Sequence, residues 1–246
     1  METVLLRVRP DIARHFLDLP ESDGKPIGET EFHIRAILEL FQLLDAYFKN
    51  DENAYVGADR LFYYDVESPT EYIVPDVFFV KGVKKYVRRI YRMLDEQVAP
   101  CVVFEITSKT TYLEDLGKKR LLYETLGVRE YFVFDPRSEY LNPQFQGYAL
   151  GDTGYEPMPA RADGTLFSRE LGLFLKPTEH FIRPVDPKTN KLLPTYDELN
   201  AFVEQEMERA EYQAKRAEHA ELEIGKLRAE IERLRNKESN EKPSRH

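Results

Sequence analysis

Hydrophobic positions recur along this 246-residue chain in three different rhythms. From about Thr30 to Lys49, the residues Ile34, Ile37, Leu38, Leu40, Leu44 and Phe48 fall at helical spacing, which predicts a helix with one apolar face. Four short and nearly continuous apolar runs follow: AYVGADRLFYYD (54–65), EYIVPDVFFV (71–80), PCVVFEIT (100–107) and EYFVFDP (130–136). Runs of that length, rich in Val, Phe and Tyr, predict strands. Between the last two, residues from about Leu113 to Leu126 read as a helix stopped by Gly127. Strand, helix and strand with short joins predict a right-handed βαβ crossover in a mixed sheet, hence a mixed α/β fold. FQGYALGDTGYEPM and GTLFSRELGLFL then read as short strands joined by glycine-containing turns.

The third rhythm lies in the tail. From Leu199 to about Asn236 the chain is built of Glu, Ala, Lys, Arg and Leu without proline. Val203, Ala210, Ala217, Ile224 and Ile231 fall seven apart, with Ala220, Leu227 and Leu234 three residues behind the later ones. This heptad seam is firm from Ala217 and weak before it, where Glu206 and Gln213 occupy seam positions. It predicts a coiled-coil helix over 199–236 and self-association into a homo-oligomer; a single solvated helix is the plainer reading. The remaining boundaries are a lead-in over 1–22, a body over 23–175, a proline-containing linker over 176–198 and a disordered tail over 237–246.

Composition narrows the field. Hydrophobic residues at 42% and aromatics at 12% suffice for a packed core, with no tryptophan among them. The single cysteine, Cys101, sits in an apolar run and reads as a buried thiol, so no disulfide framework is expected. METVLLRVRPDIARHF shows no signal-peptide pattern, and no apolar run approaches the roughly twenty residues that span a bilayer. A cytoplasmic protein with no membrane partner is expected. The net charge of −9 argues against a general nucleic-acid coat protein. One stretch departs from that balance: KGVKKYVRRIYR gathers Lys81, Lys84, Lys85, Arg88, Arg89 and Arg92, with Tyr86 and Tyr91 interleaved. Backbone phosphates are its natural partner and the rings could stack on an unpaired base. A solvated basic segment balancing nearby acids is the alternative. No base-reading motif is visible.

Two acids interrupt apolar strands: Glu105 in CVVFEI and Asp76 in IVPDVFFV. Burying a carboxylate costs several kcal/mol without pairing, protonation or a metal. Either acid alone is satisfied by an ordinary ion pair. Two on one side of a sheet repel, which asks for a shared proton or a bridging cation. Hard oxygen ligands suit Mg²⁺ or Mn²⁺, whereas the five histidines show no zinc-ligand spacing. Asp115, Lys119 and Tyr123 are four apart and share a helical face. Asp115 and Lys119 read as a common helix pair, or else Lys119 is aimed at the carboxylates to orient a water or stabilise phosphate charge.

Taken in order, PD at 75–76, E-x-x-S at Glu105 and Ser108, D-x-x-x-K-x-x-x-Y from Asp115, and GVREYFVFDP resemble the Uma-type restriction endonuclease family of the PD-(D/E)XK nuclease superfamily. The resemblance covers about Gly24 to Pro136, and the Glu/Ala-rich tail looks like one branch of that family. It implies a restriction-endonuclease-like core and a Mg²⁺-dependent endonuclease that hydrolyses DNA phosphodiester bonds with metal-activated water. The implied metal ligands are Asp76, Glu105 and the carbonyl of Ile106. The superfamily's usual lysine position is Thr107 here; Lys119 is the expected replacement and Lys109 the next candidate. An acid of the first helix often completes such sites, which points to Glu29 or Glu31, with His33 one turn beyond Glu29. Ser108 either caps the helix or hydrogen-bonds a carboxylate, and Tyr123 supports or packs. The alternative is a catalytically inactive nuclease fold kept as a nucleic-acid-binding or protein-interaction module, oligomerised by its coiled coil.

Overall fold

The computed structural model describes residues 19–20, 30–65 and 70–240. The lead-in, apart from residues 19–20, and Glu29 lie outside them, as do residues 241–246 of the expected tail. Two compact units are present, residues 1–193 and 194–246.

In the first unit, helix α1 (Glu31–Tyr47) starts at Thr30, whose hydroxyl accepts from the His33 backbone N–H at 3.4 Å. Its buried face, with Ala36, Leu40, Leu43 and Leu44, packs on the sheet. The run over 54–65 breaks into β1 (Ala54–Ala58) and β2 (Phe62–Tyr63), because Asp59 turns the chain at φ 44°. The run over 71–80 likewise splits into β3 (Tyr72–Ile73) and β4 (Val77–Lys81) around Pro75. Next come β5 (Tyr91–Arg92), the single turn α2 (Met93–Glu96) and β6 (Val102–Ile106). The crossover opens with α3 (Tyr112–Glu114), passes through a π-helical turn (Asp115–Lys119), closes with α4 (Arg120–Thr125) and delivers β7 (Glu130–Phe134). After it come β8 (Phe145–Gly151), β9 (Gly154–Pro157), β10 (Leu166–Ser168), β11 (Leu173–Pro177), β12 (Ile182–Asp186) and β13 (Lys191–Leu192).

The central sheet runs β1-β4-β6-β7-β8-β9, and its one parallel pair is β6 with β7, the pair joined by the crossover. The fold is mixed α/β, as the sequence rhythms predict. Strand alternation sorts the core into two layers. Val102, Phe104 and Ile106 point into one, with Leu40, Leu44, Val77, Phe79, Phe132 and Leu173. Val103 points into the other, with Phe78, Tyr91, Tyr123, Tyr131 and Val133. Glu105 and Thr107 share the parity of Val103, so the sheet turns them toward the crossover layer.

The expected linker over 176–198 is not one. Residues 176–192 of it complete a second sheet, β10-β11-β12-β13. Pro184 hides the strand signal: it lacks an N–H, yet it pairs with Leu175 and its carbonyl accepts from the Leu193 N–H at 2.8 Å.

The second unit is one 45-residue helix, α5 (Tyr196–Asn240). It begins earlier than the heptads predict because Thr195 and Glu198 form a reciprocal cap: the Thr195 N–H donates to Glu198 at 2.8 Å, and the Glu198 N–H donates to the Thr195 hydroxyl at 3.2 Å. It also runs through residues 237–240, which the tail reading leaves unstructured. Among the described residues no helix is long and apolar enough to cross a membrane.

Candidate active site

Register builds the site. In the antiparallel pairing of β4 with β6, Val77 lies across from Phe104, so one step further along Asp76 lies across from Glu105. Asp76 Oδ2 accepts from the Ile106 backbone N–H at 2.6 Å, which pins the aspartate to the next strand. Glu105 is completely buried. Both of its oxygens are engaged by the crossover: the Lys119 ammonium donates to Oε2 at 2.8 Å and the Tyr123 hydroxyl to Oε1 at 2.7 Å. Lys119 also stands 3.0 Å from Asp115 Oδ1. Asp115 Oδ2 accepts from the Thr107 hydroxyl at 2.8 Å, and the Asp115 carbonyl from the Tyr131 hydroxyl at 2.8 Å.

The π-helical turn matters here, because it carries both Asp115 and Lys119. Such turns are rare and cluster at functional sites. Thr107, at the position where the resemblance expects a lysine, gives its hydroxyl to the aspartate that flanks the lysine actually present. Sequence reasoning marks Thr107 only as the missing lysine and gives it no role of its own. Its signal is the period-two alternation that sets it on the same face as Glu105, one residue beyond β6.

The charges do not cancel. Burial raises the Glu105 carboxyl well above the ordinary range; Lys119 opposes that, and Asp76 and Asp115 reinforce it. Burial also raises Asp115, against the pull of Lys119 and Thr107. For Lys119, burial works against the charge, but Glu105, Asp115 and Asp76 outweigh it and hold the ammonium above its ordinary value. Burial and the Glu105 carboxylate keep the Tyr123 phenol protonated. Three carboxyl groups thus crowd near one ammonium, and their mutual repulsion adds to burial in pushing Glu105 and Asp115 toward the protonated form.

Among the described residues no three His, Cys, Asp or Glu side chains are grouped to hold a metal ion. Mg²⁺, however, commonly binds through one or two carboxylates and completes its shell with water and substrate. The facing pair Asp76 and Glu105, both hard oxygen donors, fits that mode, and a bound cation would relieve the repulsion between them.

The other expected residues divide. His33 belongs here: it is buried, with Nε2 3.7 Å from Asp76 Oδ2. Glu31 does not, since its carboxylate is turned outward to Arg35 at 2.6 Å. Ser108 serves neither expected role; its hydroxyl meets those of Thr110 and Thr111 at 3.0 and 3.2 Å. Lys109 is exposed on the turn, and Lys119 is the lysine that meets Glu105.

The basic run starts at the last residue of β4, crosses an irregular segment and ends in β5, and only part of it faces outward. Arg88 is buried: it donates to Glu96 at 2.6 and 3.1 Å and to the Lys84 and Tyr86 carbonyls, with its guanidinium over the Tyr86 and Tyr55 rings at 3.8 and 4.3 Å. Tyr91 is fully buried with its hydroxyl on the Val98 carbonyl at 2.6 Å, so its ring is not available to stack on a base. Arg88 therefore leaves the phosphate-binding set, as a side chain consumed in holding the segment's shape. Lys81 pairs with Glu170 at 3.0 Å, Lys85 with Asp45 at 3.5 Å and Arg92 with Asp95 at 3.3 Å. Lys81, Lys84, Arg89 and the Tyr86 ring are exposed.

Comparison with known proteins adds three findings. The family model Uma2, described as "Putative restriction endonuclease", matches residues 17–175. A solved structure titled as a putative nuclease belonging to DUF820, from Anabaena variabilis ATCC 29413, is similar at 17% identity and a TM-score of 0.45, covering 64% of this chain and 89% of that one. No curated protein matches.

Proposed function

The chain belongs to the Uma2 family of restriction-endonuclease-type proteins, and on that footing we propose that it is a Mg²⁺- or Mn²⁺-dependent endodeoxyribonuclease centred on Asp76, Glu105 and Lys119. One observation carries the reading: the Lys119 ammonium lies 2.8 Å from Glu105 on the sheet face where Asp76 also lies.

Asp76, Glu105 and the Ile106 carbonyl would hold the cation, which when bound supplies a Lewis-acid centre for phosphate and water. Lys119 keeps its charge at neutral pH and offers N–H donors to a phosphate oxygen or a water beside the carboxylates. Tyr123 fixes Glu105 from the far side, and Asp115, steadied by Thr107, fixes Lys119. Exposed Lys81, Lys84 and Arg89 lie just beyond the Asp76 strand and supply positive charge for a polyanionic backbone.

The test is cleavage of supercoiled plasmid and of single-stranded DNA with Mg²⁺, Mn²⁺ or EDTA, wild type beside Asp76→Asn and Lys119→Met. We expect metal-dependent cutting that falls at least ~100-fold in both variants, the scale on which removal of one electrostatic stabiliser acts. Cutting that survives Asp76→Asn overturns the assignment. Retention of DNA by a wild type that cuts nothing favours the binding-module alternative, which Thr107 at the usual lysine position suggests.

A further inference from the structure

In the second half of α5, four apolar residues line up in one stripe, and all are exposed: Ile224 48%, Leu227 59%, Ile231 51% and Leu234 57%; Leu222, 60% exposed, lies off it. In heptad terms Ala217, Ile224 and Ile231 hold the first position, a, and Ala220, Leu227 and Leu234 the fourth, d. We propose that a second copy of this chain covers the stripe, parallel and in register, so that α5 from Ala217 onward forms a two-stranded coiled coil.

The seam composition selects the stoichiometry. β-branched Ile at a with Leu at d favours parallel dimers over higher orders. The flanking charges select orientation and register. The g positions are Arg216, Glu223 and Glu230, and the e positions are Glu221, Arg228 and Arg235. In a parallel, in-register pair each g residue faces the e residue five further along the other helix. Arg216 then meets the second copy's Glu221, Glu223 meets the second copy's Arg228, and Glu230 meets the second copy's Arg235. All three pairs are opposite in sign and symmetry makes each twice. A slip of one heptad would set Arg216 against Arg228 and Glu223 against Glu221, like against like. An antiparallel pair over the same residues would set Glu223 against Glu223 and Arg228 against Arg228. Of these three arrangements only the parallel, in-register one has every pair attractive. Dimerisation through α5 does not depend on nuclease activity.

The experiment is sedimentation equilibrium of the full chain, with charge and cysteine variants. Wild type is expected at twice its 28.9 kDa mass. Glu223→Arg should raise the dissociation constant at least ~10-fold, since it turns two attractive pairs into like-charge pairs. Adding Arg228→Glu to it should restore wild-type affinity to within about threefold. Leu234→Cys should give an oxidised dimer, because d positions adjoin in a parallel pair, whereas an antiparallel pair separates them by some 25 Å. Cys101 is buried and adds little background. A monomeric wild type or a trimer overturns the proposal, and so does a dimer indifferent to Glu223→Arg or one in which Leu234→Cys fails to cross-link.

Discussion

Replacing Arg88 with Met tests how the basic segment is held. The substitution keeps most of the side-chain volume and removes the charge. What it abandons is the Glu96 carboxylate, mostly buried and bonded to Arg88 through both of its oxygens. Breaking a buried pair from one side costs about 3–5 kcal/mol, chiefly because the other charge is stranded. Glu96 retains the Tyr86 hydroxyl as a donor at 2.8 Å and some exposure, so the lower end, about 3 kcal/mol, is expected. For a body of this size that is roughly 6–12 °C in Tm. The loss should also depend on pH. The Arg88 hydrogen bond leads the causes that hold the Glu96 carboxyl below its ordinary value. A depressed carboxyl contributes stability that is complete above its unfolded pKa and is lost as pH falls through the folded one. The gap between wild type and Arg88→Met is therefore widest near neutrality and closes as pH drops below the ordinary glutamate range of about 4.3. Urea unfolding followed by tyrosine near-UV circular dichroism measures it, since the fifteen tyrosines report without interference from tryptophan. A loss under about 1 kcal/mol at pH 7, or one that does not change between pH 7 and pH 3.5, would refute the reasoning.

Two further substitutions and reagents probe the interior. Thr107→Val preserves shape but withdraws the hydroxyl from buried Asp115, which should cost about 1–3 kcal/mol in a urea melt and lower any DNA cleavage; Thr107→Ser should recover most of both, and a Thr107→Val protein as stable as wild type would sink the idea. Burial pushes the Cys101 thiol up to about 11, and its S–H faces the Phe79 carbonyl at 3.4 Å. A thiol-specific disulfide reagent at pH 8 should therefore label the folded chain at least ~100-fold more slowly than the urea-unfolded chain, and comparable rates would contradict the burial.

Much of this was legible in the sequence because the relevant signals are local. The apolar runs around Asp76 and Glu105 announce buried strands, and the four-residue spacing of Asp115, Lys119 and Tyr123 announces a shared face. Other features depend on contacts distant in sequence. Nothing near Arg88 says that its guanidinium turns inward, because the rings that receive it include Tyr55 from β1. Pro184 reads as a breaker until β11 and Leu193 supply the partners that a proline can still use. Glu31 has the composition of a site residue, yet Arg35 one turn later takes it outward.

The turn over Asp115–Lys119 carries one consequence for how this chain can vary. A π turn holds one more residue than the α-helical turn it replaces. The extra residue is absorbed inside the turn, so the helix beyond it keeps its phase and Tyr123 still faces Glu105. Deleting one residue from 116–118 would close the segment to an ordinary α-helical turn without rotating α4, whereas deleting one between Lys119 and Tyr123 would turn the two side chains apart by about 100°. Related chains that preserve the Glu105–Tyr123 contact should therefore carry any one-residue gap inside the turn and none between Lys119 and Tyr123.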